Sequence, residues 1–183
     1  LQTTVTSGSI AVVCGGLFVL AWAAAPRHGV LAKAMTRWKT TRRIVGEDIL
    51  GLLYRLEESK AEAPGDLRSA LQQTLGASRS MVTMALRRLR ARNLIQATPK
   101  QVVLTESGRR EARQLVRSHR LWESYLHKIL KRPADQLHQP AHLLEHVTGP
   151  QLREELARRT EGAQRDPHDK PIPPETNGAS DDR

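Results

Sequence analysis

The sequence predicts a mainly α-helical chain: one transmembrane helix, then a winged helix-turn-helix, then an all-α domain. Three observations lead there. An uncharged apolar run opens the 183 residues. A short helix, a glycine turn and a helix rich in Ser, Thr and Arg precede two short β-branched segments. Beyond them, apolar residues recur at helical spacing. A net charge of +10 and a pI near 10.6 suit a polyanionic partner, nucleic acid or an anionic membrane surface. The lone cysteine, Cys14, excludes an internal disulfide and with it a disulfide-stapled secreted scaffold. Aromatics at 3% argue against a base-stacking platform for single strands.

No charged side chain occurs in residues 1–26. Residues 10–25 (IAVVCGGLFVLAWAAA) are almost wholly apolar, and residues 3–25 just supply the ~20 that a spanning helix needs. Arg27, Lys33, Arg37, Lys39, Arg42 and Arg43 follow, with no acidic residue before Glu47. This basic flank predicts a helix in the cell inner membrane with its C-terminal side cytoplasmic. A signal peptide fits worse, because its charges would precede the apolar run; a buried core helix is the other alternative, and leaves the chain cytoplasmic. The start at Leu1 suggests a fragment or processed product. Residues 1–26 are read as the span and 27–46 as a basic juxtamembrane linker.

Residues 47–108 are read as the winged helix. In EDILGLLYRLEES, Ile49, Leu50, Leu52, Leu53 and Leu56 form a helical stripe. Ala63-Pro64-Gly65 breaks it, and Asp66 is a cap for a second helix near 67–75. Gly76 suits a turn, and Ser78 or Ser80 a cap for a third helix reaching about Asn93. Residues 94–96 and 102–104 read as the two strands of a small wing. The third helix presents Ser78, Arg79, Ser80, Thr83 and Arg87 as candidate double-stranded DNA contacts, with Lys100 from the wing: hydroxyls reach base edges or phosphates, and Arg reaches guanine or phosphate. Residues 66–117 carry eleven basic against three acidic side chains. A solvated basic face is the bland alternative, but the charge coincides with the helix-turn-helix pattern.

Residues 109–165 are read as a helical domain and 166–183 as a Pro-rich disordered tail. A long helix is expected over about 106–130, with Leu115, Leu121, Trp122, Leu126, Ile129 and Leu130 as its apolar stripe. His119 and Glu123, four apart, share a face; alone, such a pair is more often a surface hydrogen bond. In QLHQPAHLLEHVTG, His138, His142, Glu145 and His146 fall on one face of a second helix. Imidazoles and a carboxylate converging so closely are good ligands for a divalent transition metal, whereas the alternative is a solvent-facing polar side. Pro140 is expected to start that helix and to move His138 off the shared face.

These pieces carry a resemblance. ED-I-L-x-x-L-Y-x-L-EE over 47–58, L-T-x-x-G over 104–108, H-R-L-x-E over 119–123, H-x-x-x-H-x-x-E-H over 138–146 and D-P-H-D-K-P-I-P over 166–173 resemble the diphtheria-toxin repressor / manganese transport regulator (DtxR/MntR) family of metal-dependent bacterial repressors. The resemblance implies a winged helix joined to an all-α metal-binding and dimerisation domain, acting as a homodimer on DNA. It implies a primary metal site at Asp48, His142, Glu145 and His146, and an ancillary one at His119, Glu123 and His138. Gly51 stands where manganese-type members have a carboxylate, and His142 where the family more often has Cys or Glu. Without a sulfur ligand the set suits Mn²⁺ or Fe²⁺, with Zn²⁺ also accommodated. The run LFVLAWAAAPRHGVLAKAM resembles the last membrane helix and exit of manganese/zinc ABC transporter permeases, which implies a permease tail and transporter subunits as partners. A metal-sensing domain of such a permease is therefore the alternative to a transcriptional regulator. A hydrolytic enzyme is disfavoured: no HExxH motif occurs, and four protein ligands leave little room for substrate.

Overall fold

The computed structural model describes residues 3–25, 29–60, 67–98 and 101–175. The chain divides into two compact units, Leu1–Arg43 and Ile44–Arg183. The first contains α1 (Thr3–Ala24) and the start of α2 (Val30–Ser59). Residues 30–46, expected as a linker, are therefore helical, as a stretch free of Gly and Pro until Gly46 permits. Ile10, Val12, Val13, Leu17, Phe18, Val19, Leu20 and Trp22 on α1 are all exposed. Among the described residues no helix is long and apolar enough to cross a membrane. The expected transmembrane helix thus finds no support among the described residues.

The second unit opens with the rest of α2, then α3 (Leu67–Leu75), α4 (Arg79–Ala91), β1 (Ile95–Ala97), β2 (Val102–Leu104), α5 (Glu106–Lys128), α6 (His138–Glu145) and α7 (Pro150–Arg159). Gly76 takes φ +59° in the turn between α3 and α4. Ser78 caps α4, accepting the Met81 N–H, a contact worth ~1 kcal/mol. Asn93, at φ +54°, closes α4 in left-handed geometry while Leu94 N–H reaches back to the Leu89 carbonyl. The strands pair antiparallel with Ile95 opposite Leu104 and Ala97 opposite Val102. Ile49, Leu50, Leu53, Leu71, Val82, Ala85, Leu86, Leu89, Leu94, Ile95 and Leu104 are buried together as the core of the winged helix. The break at 63–65, the Asp66 cap and Lys100 lie outside the described residues.

Thr105 joins the wing to the helical domain. Its hydroxyl donates to the Asn93 carbonyl and accepts the Gly108 N–H, capping α5. Gly108 is obligatory: a Cβ there would lie 1.8 Å from the Leu94 carbonyl oxygen. α5 ends at Lys128, so Ile129 and Leu130 leave the expected stripe and are exposed. α6 begins at His138, not at Pro140; the proline sits in its first turn, where its missing N–H has no helical partner to lose.

The expected disordered tail is ordered as far as Glu175. Asp166 accepts the backbone N–H groups of His168 and Lys170, and Arg165 and Pro171 form a bridge. Ile172 is buried with Leu121 and Leu156. Arg117 donates to the Pro173 carbonyl at 2.6 Å and to Glu175 at 2.8 Å, and Arg153 also holds Glu175. A low-aromatic, charged segment can stay ordered when guanidinium groups satisfy its carbonyls. Residues 176–183 lie outside the described residues.

Candidate metal centre

Helical spacing on α6 sets the first cluster. His142, Glu145 and His146 project from one side of it, and Asp48 reaches them from α2. Asp48 Oδ1 is 3.1 Å from His146 Nε2 and 3.8 Å from His142 Nε2, and His142 Nδ1 is 3.1 Å from Glu145 Oε1. The four ligand atoms lie within 4.8 Å of one another. His119, Glu123 and His138 form a second such group: His119 Nε2 is 3.1 Å from both Glu123 Oε1 and His138 Nδ1. The seven candidate metal residues therefore come together in two groups. His138 does leave the shared face, but by facing α5 rather than through a later helix start.

The donors fit a cation. Asp48 Oδ1 and Glu145 Oε2 are buried and make no hydrogen bond in the structure. Yet Asp48 Oδ1 has His146 Nε2 at 3.1 Å, and Glu145 Oε2 has His119 Nδ1 at 2.6 Å. Such proximity without hydrogen-bond geometry brings atoms of ligand chemistry onto common space. Ligand atoms sharing a first-row ion at ~2.1 Å stand ~3 Å apart, as Asp48 Oδ1 and His146 Nε2 do at 3.1 Å.

The same contacts set the protonation of the cluster. Burial opposes a proton on His146, but Asp48 and Glu47 outweigh it and raise the imidazole to about 9. Burial opposes charge on Glu145, but His119 and His142, helped by Arg55, hold its carboxyl at about 2. Burial lowers His119, yet Glu123 and Glu145 outweigh it and leave the imidazole above its ordinary value. His138 is lowered, first by desolvation and then by His119.

Four contributors were missed in the sequence. Glu47 Oε2 lies 2.8 Å from His146 Nδ1, so the ring's other nitrogen is held while Nε2 faces the site. Its signal was the adjacent Glu-Asp pair. Arg55 brings its guanidinium to 4.0 Å from Glu145 Oε2, one turn after Gly51, whose Cβ would meet Leu115 at 3.2 Å. His168 places Nε2 3.8 Å from Glu123 Oε1, beside the second cluster; the D-P-H run was its signal. Arg120, buried on α5, donates to both oxygens of Glu58 on α2 and lowers that carboxyl's pKa.

The described DNA candidates lie on or before α4. Arg79, Ser80 and Arg87 are exposed. Ser78 is engaged as the cap and contacts Ser80 at 3.1 Å, while the Thr83 hydroxyl donates to the Arg79 carbonyl.

Residues 105–174 match the family described as iron dependent repressor, metal binding and dimerisation domain. The chain is 29% identical over 128 residues to the diphtheria toxin repressor of Corynebacterium diphtheriae, which covers 69% of this chain and 55% of that one. It is 36% identical over 85 residues to a "probable metal transport system membrane protein" of Chlamydia trachomatis, 46% of this chain and 19% of that one. Among solved structures, a "manganese-dependent transcriptional repressor complex with manganese" superposes with TM-score 0.64 at 32% identity, over 70% of this chain and 58% of that one. ScaR with bound Zn²⁺ gives TM-score 0.61 at 27% identity, over 71% and 60%. The chain spans little more than half the length of these repressors. The similarity to the metal-binding and dimerisation domain of the iron-dependent repressors covers residues 105–174.

Proposed function

We propose that the chain is a divalent-metal-dependent, dimeric DNA-binding transcriptional regulator of metal homeostasis. One observation carries the reading: Asp48, on a helix of the winged-helix core, completes a cluster whose other members lie on α6. Asp48, His142, Glu145 and His146 would hold the regulatory ion, and His119, Glu123 and His138 an ancillary one. The bound cation supplies charge that the two carboxylates otherwise take from protonated imidazole. The chain's own residues do the rest. Glu47 orients His146, Arg120 pairs α2 with α5 through Glu58, and Ser78, Arg79, Ser80, Thr83, Arg87 and Lys100 meet DNA. Fixing α2 against α6 sets how two recognition helices are spaced in a dimer. The nitrogen and oxygen donors favour Mn²⁺ or Fe²⁺ and admit Zn²⁺. Arg55 takes up space and charge beside Gly51, which argues against a two-ion cluster at the primary site.

A gel shift of the full chain on DNA carrying palindromic operators tests this. Mn²⁺ should strengthen binding, and His142→Ala should remove that dependence; equal absence of binding with and without metal refutes the reading.

The similarity to a metal transport membrane protein and the exposed apolar residues of α1 favour a second reading. In it the unit from Ile44 onward senses cytoplasmic metal for an ABC transporter permease of the inner membrane. Metal uptake that responds to His142→Ala without change in transcription would select it.

A further inference from the structure

The basic start of α2 has no role in the metal or DNA reading. Residues 30–43 are helical. Leu31, Met35 and Trp38 are exposed at 64%, 52% and 41%. Their spacing of four and three places them on one stripe. Lys33, Arg37 and Thr40 repeat the same spacing on the opposite side, and Lys39 and Arg43 flank the stripe. The Arg42 guanidinium, the next position along the same face, lies 4.2 Å from the centre of the Trp38 ring. The Thr36 and Thr41 hydroxyls are satisfied by the Ala32 and Arg37 carbonyls. No acidic residue occurs before Glu47.

We propose that residues 30–43 form an in-plane docking surface for an anionic lipid bilayer. Charge complementarity selects this occupant. Four cations (Lys33, Arg37, Lys39 and Arg42), on a stretch with no acidic residue before Glu47, are drawn to an anionic leaflet. An apolar stripe containing Trp enters the boundary between headgroups and acyl chains, with Lys and Arg reaching up to the phosphates. The Arg42 contact keeps a cation at the depth of the indole. Duplex DNA would meet the cations and leave Leu31, Met35 and Trp38 in water. A second copy would bury the stripe but bring Lys33, Arg37 and Lys39 of both copies toward one another. The surface works whether or not α1 spans the bilayer, and it is independent of the metal site.

The test is a nitroxide scan of positions 31–43, one label at a time, in the full chain carrying Cys14→Ser. Vesicles of phosphatidylcholine with a minority of phosphatidylglycerol are compared with phosphatidylcholine alone. On the mixed vesicles, oxygen accessibility should peak at 31, 35 and 38, and that of a water-soluble nickel chelate at 33, 37 and 40. The pattern should weaken by ~tenfold or more in high salt, on the neutral vesicles, or in Lys33→Glu/Arg37→Glu. Circular dichroism of that variant should be unchanged, since both side chains are exposed. Uniform chelate accessibility on the mixed vesicles overturns the proposal. So does spin–spin broadening along the stripe without lipid contact, which indicates a second copy, or protection by duplex DNA alone.

Discussion

The two histidine clusters are close in space and built from similar residues, but they join different parts of the molecule. The first takes Asp48 from α2, in the winged-helix core, and the rest from α6. The second takes His119 and Glu123 from α5 and His138 from the start of α6, all within the helical domain. A cation in the first ties two modules; one in the second staples two helices that already pack. On the proposed reading, only a cation in the first would bias how the DNA-reading helices are held. The clusters also touch: His119 faces Glu123 and His138 with Nε2 and Glu145 with Nδ1. Glu145 is thus the carboxylate common to both.

That contrast is broken most severely at Glu145. Glu145→Ala should remove the bridging carboxylate and lower metal affinity at the primary site by ~1,000-fold or more, measured by calorimetric titration, with the metal-dependent gel shift lost. Retained tight binding would show that the clusters are not coupled through this residue.

The next effect is pH. His146 must lose its proton before Nε2 can bind a cation, and its imidazole is raised to about 9. Metal affinity should accordingly rise about tenfold per pH unit up to that value, ~100-fold between pH 7 and 9, with close to one proton released on binding. In the metal-free protein the sign is opposite. A raised histidine pKa adds stability that is fully present below the unfolded value of ~6.5 and is lost as pH rises through about 9. Thermal melts across that window check it.

Glu47→Gln keeps the shape but weakens the hold on His146 Nδ1. A loss of metal affinity of ~10–100-fold is expected at the primary site, with the second cluster unaffected. The smallest effect should come from His138→Ala, which empties the second cluster while leaving Asp48, His142, Glu145 and His146 in place. Metal-dependent DNA binding should change by less than ~tenfold; its complete loss would mean that the second cluster also gates DNA binding.

Legibility differed between these regions. The H-x-x-x-H-x-x-E-H spacing put His142, Glu145 and His146 on one helical face without any tertiary knowledge, because helical rise and turn are local properties. Ser78 as a cap, Gly76 as a turn and the two wing strands were legible for the same reason. Residues 166–175 were misread as tail: their order comes from Arg117, Arg120 and Arg153, supplied by α5 and α7. Ile129 and Leu130 were misread as stripe, because where α5 stops is a matter of packing beyond Lys128. The separation of His138 from its neighbours rests on α5 lying against the start of α6.

By itself, the sequence determined the local devices of this protein: helical faces, caps, the wing hairpin, the concentration of positive charge, and two groups of residues with ligand chemistry. The tertiary structure alone decided which carboxylate serves which imidazole. Asp48 and His146, or Glu58 and Arg120, are far apart along the chain, and no periodicity relates them. Their meeting depends on how α2 crosses α5 and α6, which is set by the sum of many apolar contacts rather than by any short run of residues.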